Sequence, residues 1–257
     1  MAVKRKKKIL RIRKMNSRVA KVVGVLVLIA VTLFILMLTP LFDAKYLTVK
    51  SSRKGDLQKV TTGDVKQALD YDSSINIFKY NLGDAERKLE KNPFVKKVVM
   101  ERNLPDEICV TVTERLPVAY IKTGKVAFLL DEEGVLLEQV GKVPAGLPAV
   151  VGMPIKSLKI GQALSEADTA KSNAYTALYT KLKEYELIDQ TTEINIQNPD
   201  YMECTMNRNK RVIFGDGYQL DYKMRLLQVA MDRLAPSEAG TITLTVEGEA
   251  SFSPKEE

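Results

Sequence analysis

Between Val22 and Phe42 the chain carries 21 residues without a charge, fifteen of them Val, Ile, Leu or Phe. At a helical rise of about 1.5 Å per residue such a run reaches about 31 Å, close to the thickness of a bilayer's hydrocarbon core, about 30 Å. Pro40 sits near its exit, where an interrupted helix costs little. A secretory signal passes the same first test, but its apolar stretch is usually ~7–15 residues long and ends at a small-x-small cleavage site. Thr39-Pro-Leu-Phe-Asp43 offers no such site, so the expectation is an uncleaved single-pass anchor.

Charge gives the anchor a direction. Residues 1–21 hold ten Lys or Arg and no acid, whereas the twenty residues after the run, 43–62, hold five Lys or Arg. This bias keeps the N-terminus in the cytosol and the bulk of the chain outside the cytoplasm, and it gives the tail some attraction to anionic membrane lipid. The ten tail cations exceed the whole chain's net charge of +7, so the remainder is net acidic. A body of that charge gives no sign of binding nucleic acid. Two cysteines in 257 residues make no disulfide scaffold. Alternation puts Cys204 on an apolar face with Met202 and Met206, where a buried thiol fits better than a bridge to Cys109.

The residues after the anchor alternate between strand and helix signals. Tyr46–Lys50 suits a strand. Thr61-Thr-Gly-Asp64 offers a capping box ahead of Val65, Ala68 and Leu69, and Asn81 with Asp84 opens a second short helix that Asn92-Pro93 stops. Phe94–Arg102 reads as a strand, with Phe94 and Val95 expected to cover the second helix. Asn103-Leu-Pro-Asp106 reads as a turn, and Glu107–Glu114 as an alternating strand with Ile108, Val110 and Val112 on one face. The order β-α-α-β-β implies two helices on one face of a three-stranded sheet.

The run Asn92-Pro-Phe-Val-Lys96, then Glu101-Arg102, Leu104-Pro-Asp-Glu-Ile108, Val110-x-Val112-x-Glu114 and Pro117-Val-Ala119 resembles the junction between the POTRA and β domains of the FtsQ/DivIB family of bacterial cell-division proteins. Phe94 stands where the family more often has Trp, and Leu104 where an aromatic often precedes the Pro. Further on, Phe128–Val135 resembles a family hairpin, and Leu147-Pro-Ala-Val-Val-Gly152 and the strand at Gly240–Val246 resemble two more family segments. The resemblance covers about residues 19–253.

The fold class expected is therefore α+β, with the following boundaries: a basic tail (1–21), a transmembrane helix (22–42), a POTRA domain (43–117), a mixed β-rich domain with two helices (118–253) and a short C-terminal tail (254–257). In the β domain, strands are expected through Val118–Leu137, at Glu193–Gln197, Tyr201–Met206 and Arg211–Phe214. A helix is expected from Ser165, capped by Ser165 with Asp168, with the stripe Ala167, Ala170, Ala174, Leu178, Leu182 and Tyr185. A second is expected over Asp221–Leu234.

No catalytic constellation emerges. The chain has no histidine, which removes Ser-His and Cys-His pairs and the commonest general base. Two cysteines cannot make a four-cysteine zinc site. Ser51-Ser-Arg-Lys54, Ser74-Ile-Asn76 and Lys122-Thr-Gly124 mimic penicillin-binding motifs, but Ser51 ends a strand rather than opening a helix, and the three fall within about 75 residues, too few for such a domain. No enzyme, cofactor, metal or small-molecule substrate is expected. The resemblance implies a membrane-anchored scaffold of the division machinery. Its partners would be small bitopic coiled-coil proteins of the FtsL and FtsB/DivIC types, through which it helps regulate septal peptidoglycan synthesis at the septum of the plasma membrane. An alternative is a POTRA-type envelope chaperone or adaptor that binds peptides.

One segment is singled out as a binding site. Gly240-Thr241-Ile242-Thr243-Leu244-Thr245-Val246 alternates strictly and lies near the chain's end. An unpaired edge there would accept a partner strand by β-augmentation, and the family's partners dock on the last strands of the β domain. The same pattern suits an ordinary inner strand, because a strand's sequence does not reveal its neighbours.

Overall fold

The computed structural model describes residues 17–155, 157–245 and 249–255; most of the basic tail lies outside them. Helix α1 (Ser17–Met37) takes in Arg18 and Lys21 and stops before Leu38–Phe42. Its window Arg18–Met37 has a mean hydropathy of 2.8, and none of it is buried inside the protein, so by length and composition it can cross a membrane. The helix ends earlier than the apolar run because Pro40 cannot donate to it; Pro40–Phe42 forms a separate 3-10 turn. The Thr32 hydroxyl donates to the Leu28 carbonyl at 2.9 Å and that of Thr39 to Leu36 at 2.7 Å, which satisfies both hydroxyls without water.

The first unit contains β1 (Tyr46–Ser51), α2 (Thr62–Leu69), α3 (Leu82–Leu89), β2 (Val95–Asn103) and β3 (Glu107–Glu114). Its sheet runs β1-β3-β2, with β1 parallel and β2 antiparallel to β3. Thr61 caps α2 in a complete capping box with Asp64, and the Asn81 side chain accepts from the Asp84 N–H to start α3. Val65, Leu69, Ala85 and Leu89 bury against Val98, Met100, Ile108, Val110 and Val112. The period-2 pattern of β3 puts its second set, including half-buried Cys109, on the other face.

Among the described residues the second unit holds nine strands and two helices: β4 (Ala119–Thr123), β5 (Val126–Leu130), β6 (Leu136–Val140), β7 (Ala149–Val151), α4 (Thr169–Glu184), β8 (Thr191–Asn195), β9 (Met202–Met206), β10 (Lys210–Gly215), α5 (Leu220–Arg233), β11 (Gly240–Leu244) and β12 (Ala250–Pro254). They form one mixed sheet in the order β12-β11-β10-β9-β8-β7-β4-β5-β6. Tyr175, Leu178 and Leu182 of α4 and Met224 and Leu227 of α5 share one core with Ile194, Cys204, Val212, Phe214 and Ile242 of the sheet. Burial pushes the Cys204 thiol well up, so it stays protonated and inert. Gly152 is required where β7 meets β8. Its φ is +91°, and an added Cβ would stand 2.3 Å from the backbone nitrogen of Gln197.

The α+β class and the β-α-α-β-β order agree with the sequence reading. Three local expectations change. Leu164–Glu166 is a 3-10 turn, and Asp168, not Ser165, caps α4 by accepting from the Lys171 N–H at 3.1 Å. That later start rotates the buried stripe: Tyr175 and Tyr179 point inward, and Ala170 is exposed. Phe94 precedes β2 and does not cover α3; it packs beside Leu129, Val135 and Leu137 of the second unit, while Val95 alone enters the first core.

Candidate partner-binding edge

Gly240–Leu244 is an interior strand. It pairs in parallel with β10 (Val212 beside Ile242) and antiparallel with β12 (Ile242 beside Phe252). Gly240, Ile242 and Leu244 are buried and Thr241 and Thr243 half-buried. The parallel pairing follows from α5, which crosses from the end of β10 back to the start of β11. Thr245 has left the strand; its N–H and hydroxyl both reach the Glu249 carbonyl, at 3.0 and 3.2 Å. Val246 lies outside the described residues. The expectation of an unpaired edge is therefore corrected for Gly240–Leu244, which β12 covers.

The edge of the sheet belongs to Ala250-Ser-Phe-Ser-Pro254. Only Phe252 is partly buried, and it packs over Gly240, where a Cβ would sit 2.7 Å from its ring. The register fixes which backbone groups are open. Lys255 N–H donates to Ala239 O at 2.9 Å, and alternation from that bond puts Thr241/Ser253 and Thr243/Ser251 in the hydrogen-bonded class. Ala250 and Phe252 thus turn their N–H and C=O away from the sheet. Pro254 turns a carbonyl outward and has no N–H, which suits the end of an edge strand. Sequence reasoning missed β12 because a five-residue segment with a single large apolar side chain carries almost no periodic signal.

Two other edges are partly covered. At the far end of the nine-stranded sheet, Leu136 of β6 donates to Gln162 O at 2.9 Å and accepts from Gly161 N–H at 2.7 Å. In the first unit, carboxylates of Glu86 in α3 and of Glu90 just after it take two outward N–H groups of β2: Met100 N–H reaches Glu86 at 2.6 Å and Val98 N–H reaches Glu90 at 3.4 Å.

The motif residues near the unit boundary have structural duties. Glu114, buried at the end of β3, accepts from the N–H groups of Gln58, Lys59 and Val60 at 2.8, 2.7 and 2.6 Å, fixing the loop before α2. Arg102, next to last in β2, donates to the carbonyls of Ile77 (3.0 Å) and Tyr80 (2.6 Å). Arg115 pairs with buried Asp131 and, at 2.7 Å, with Glu133 of the β5–β6 hairpin. Lys96 reaches Glu133 at 2.7 Å, and Arg53 reaches Glu132 at 3.3 Å. Hydrogen bonds from Lys96 and then Arg115 hold the Glu133 carboxyl below its ordinary range. Tyr175 donates to the Asp131 carbonyl at 2.9 Å from full burial, which pushes its hydroxyl pKa well up.

The penicillin-binding look-alikes occupy separate elements. Ser51 ends β1, Ser74 sits in a turn on Asp72, and Lys122–Gly124 lies in the β4–β5 hairpin. Among the described residues no cluster of three His, Cys, Asp or Glu side chains could hold a metal ion.

Comparison with known proteins supplies the context for this edge. The POTRA domain model of FtsQ type matches residues 54–115. Cell division protein DivIB of Clostridium tetani is 24% identical over 77% of this chain and 73% of its own length. DivIB of Clostridium acetobutylicum is 29% identical over 62% of this chain and 57% of its own length. Cell division protein FtsQ of Koribacter versatilis is 27% identical over 59% of this chain, which spans 43% of that protein. Among solved structures, the major extracytoplasmic domain of DivIB from Geobacillus stearothermophilus aligns at 22% identity over 48% of this chain and 98% of that one. Its TM-score of 0.30 is too low to support any comparison of geometry. With one apolar N-terminal helix, an FtsQ-type POTRA match over 54–115 and DivIB and FtsQ relatives along most of its length, the chain is similar to the bacterial cell-division proteins DivIB and FtsQ.

Proposed function

We propose that the chain is a non-enzymatic scaffold of the division machinery, anchored by α1 with its N-terminus in the cytoplasm and concentrated at the septum. It recruits small bitopic proteins of the FtsL and FtsB/DivIC types and helps regulate septal peptidoglycan synthesis through them. The observation that carries this reading is the open edge of β12, where Ala250 and Phe252 turn backbone donors and acceptors outward. An extended segment of an FtsB/DivIC-type partner would add there as a tenth strand, as sheet edges invite.

Ala250→Pro tests it. The substitution removes one outward N–H and leaves the ladder to β11 intact. Losing one bond of about 0.5–1.5 kcal/mol, with the ring standing in the partner's way, weakens capture of an FtsB/DivIC-type protein roughly tenfold. Capture is read by titration of the full chain in detergent, and circular dichroism checks the fold. Unchanged affinity in a folded variant would remove β12 as the docking strand. Thr243→Pro would instead break an interior ladder and so would report only on folding.

A further inference from the structure

We propose that the end of the POTRA unit next to α1 is seated in the interfacial layer of the bilayer, as an apolar rim built from three separate chain segments. The inference rests on the reading of α1 as a membrane span.

The exit of α1 is tied directly into the POTRA fold. The buried Asn76 side chain donates to the Met37 carbonyl at 2.8 Å, satisfying a group at the helix C-terminus. Ala44 N–H donates to Ile75 O at 3.0 Å, and Asp43 bridges Asn76. Phe42 and Phe78 pair with ring centroids 5.7 Å apart. The β2–β3 turn is brought to the same end by the sheet: Tyr46, which opens β1, lies beside Glu107 and donates to Asp106 O at 3.1 Å. Arg102, bound to the carbonyls of Ile77 and Tyr80, links that turn to the 77–80 segment.

This end is where the unit exposes its large apolar side chains. From residue 41 to residue 115 five are exposed: Leu41, Tyr46, Phe78, Val99 and Leu104. All but Val99 belong to the segments just described. Water would penalise such a cluster, but it is continuous with the lipid-facing surface of α1, so the occupant that fits is the bilayer interface itself. Aromatic side chains with one wet and one apolar side favour that depth. These segments carry three cations, Lys45, Lys79 and Arg102, and three acids, Asp43, Asp106 and Glu107, so the apolar side chains carry the contact and no anionic lipid is needed.

The chain has no tryptophan, so one introduced indole reports its own depth. The full chain is reconstituted in phosphatidylcholine vesicles brominated either near the headgroup end or near the tail end of the acyl chains. Phe78→Trp and Leu104→Trp report the rim, Phe34→Trp a position near the middle of the apolar run Val22–Phe42, and Tyr218→Trp an exposed site in the second unit. Both rim reporters are expected to emit at shorter wavelength than Tyr218→Trp and to be quenched more by the shallow bromines than by the deep ones; Phe34→Trp shows the reverse preference. If Phe34→Trp is quenched by deep bromines while either rim reporter is as unquenched as Tyr218→Trp, the rim stands off the bilayer and the inference fails alone. An unquenched Phe34→Trp means that α1 is not in the bilayer, and the anchored reading falls with it.

Discussion

Two sheet edges in this protein meet the same problem in opposite ways. One outer strand of the POTRA unit, β2, is nine residues long, and carboxylates of Glu86 in α3 and of Glu90 just after that helix take its outward N–H groups at Val98 and Met100. The outer strand of the second unit, β12, is five residues long, and nothing in the described residues takes the outward groups of Ala250 and Phe252. A long uncovered edge is an aggregation hazard, whereas a short one ending in Pro is tolerated in water. The contrast teaches that edge-capable strands are not interchangeable as binding sites: where a side chain already supplies the hydrogen bond, an incoming strand gains little.

The contrast can be broken most severely at Glu114. Glu114→Ala would strand three backbone N–H groups, one of them on buried Val60. We expect a loss of about 3 kcal/mol or more, because hydrogen bonds to a charged acceptor contribute ~1.5–3 kcal/mol each and do not add fully. Urea unfolding would show it as a shifted first transition, with the second unit unfolding where it did before.

A milder change would make the two edges alike. Replacing both Glu86 and Glu90 by Ala uncovers β2 at a cost of about 1 kcal/mol in stability, and the variant should self-associate with rising concentration in sedimentation velocity. A strictly monomeric variant would show that the carboxylates do not guard the edge.

The smallest effect concerns how the two units are held. Glu133 is ionised more readily in the folded chain than its ordinary value allows, through Lys96 first and Arg115 second. A depressed carboxyl adds stability above its unfolded pKa of about 4.3 and loses it as pH falls through the lower folded value. Cleavage of the boundary by a protease active in acid should stay constant from neutral pH to about 5, then rise below about 4. A rise already complete at pH 5 would assign the clamp to other groups.

Much of this was legible in the sequence, for identifiable reasons. The alternation of β3, the box at Thr61 and Asp64 and the pattern ending in Glu114 are local, and local chemistry is written in neighbouring residues. The duty of Glu114 was not, because its partners stand more than fifty residues away. Phe94 reads as core from its strand alone, yet it packs on a different unit. The start of α4 shifted because Leu164–Glu166 closes as a 3-10 turn that leaves Asp168 as the cap. The edge of the sheet was misplaced by one strand: Gly240–Leu244 has the stronger pattern because it is interior, and the outer strand has the weaker pattern because it is not.

Asn76 and the pairing around Asp43 and Ala44 have a geometric consequence. Eight residues, Leu38–Lys45, join α1 to β1. As a free tether they would let the outer body wander through a hemisphere of roughly 28 Å radius, at ~3.5 Å per residue. Folded onto the POTRA unit, they leave little slack, so altitude above the lipid is written into the protein rather than averaged by a leash. A bitopic partner would then meet β12 only if its own strand-forming stretch leaves the bilayer at a matching height. Its stalk length, as much as its side chains, would decide whether it fits.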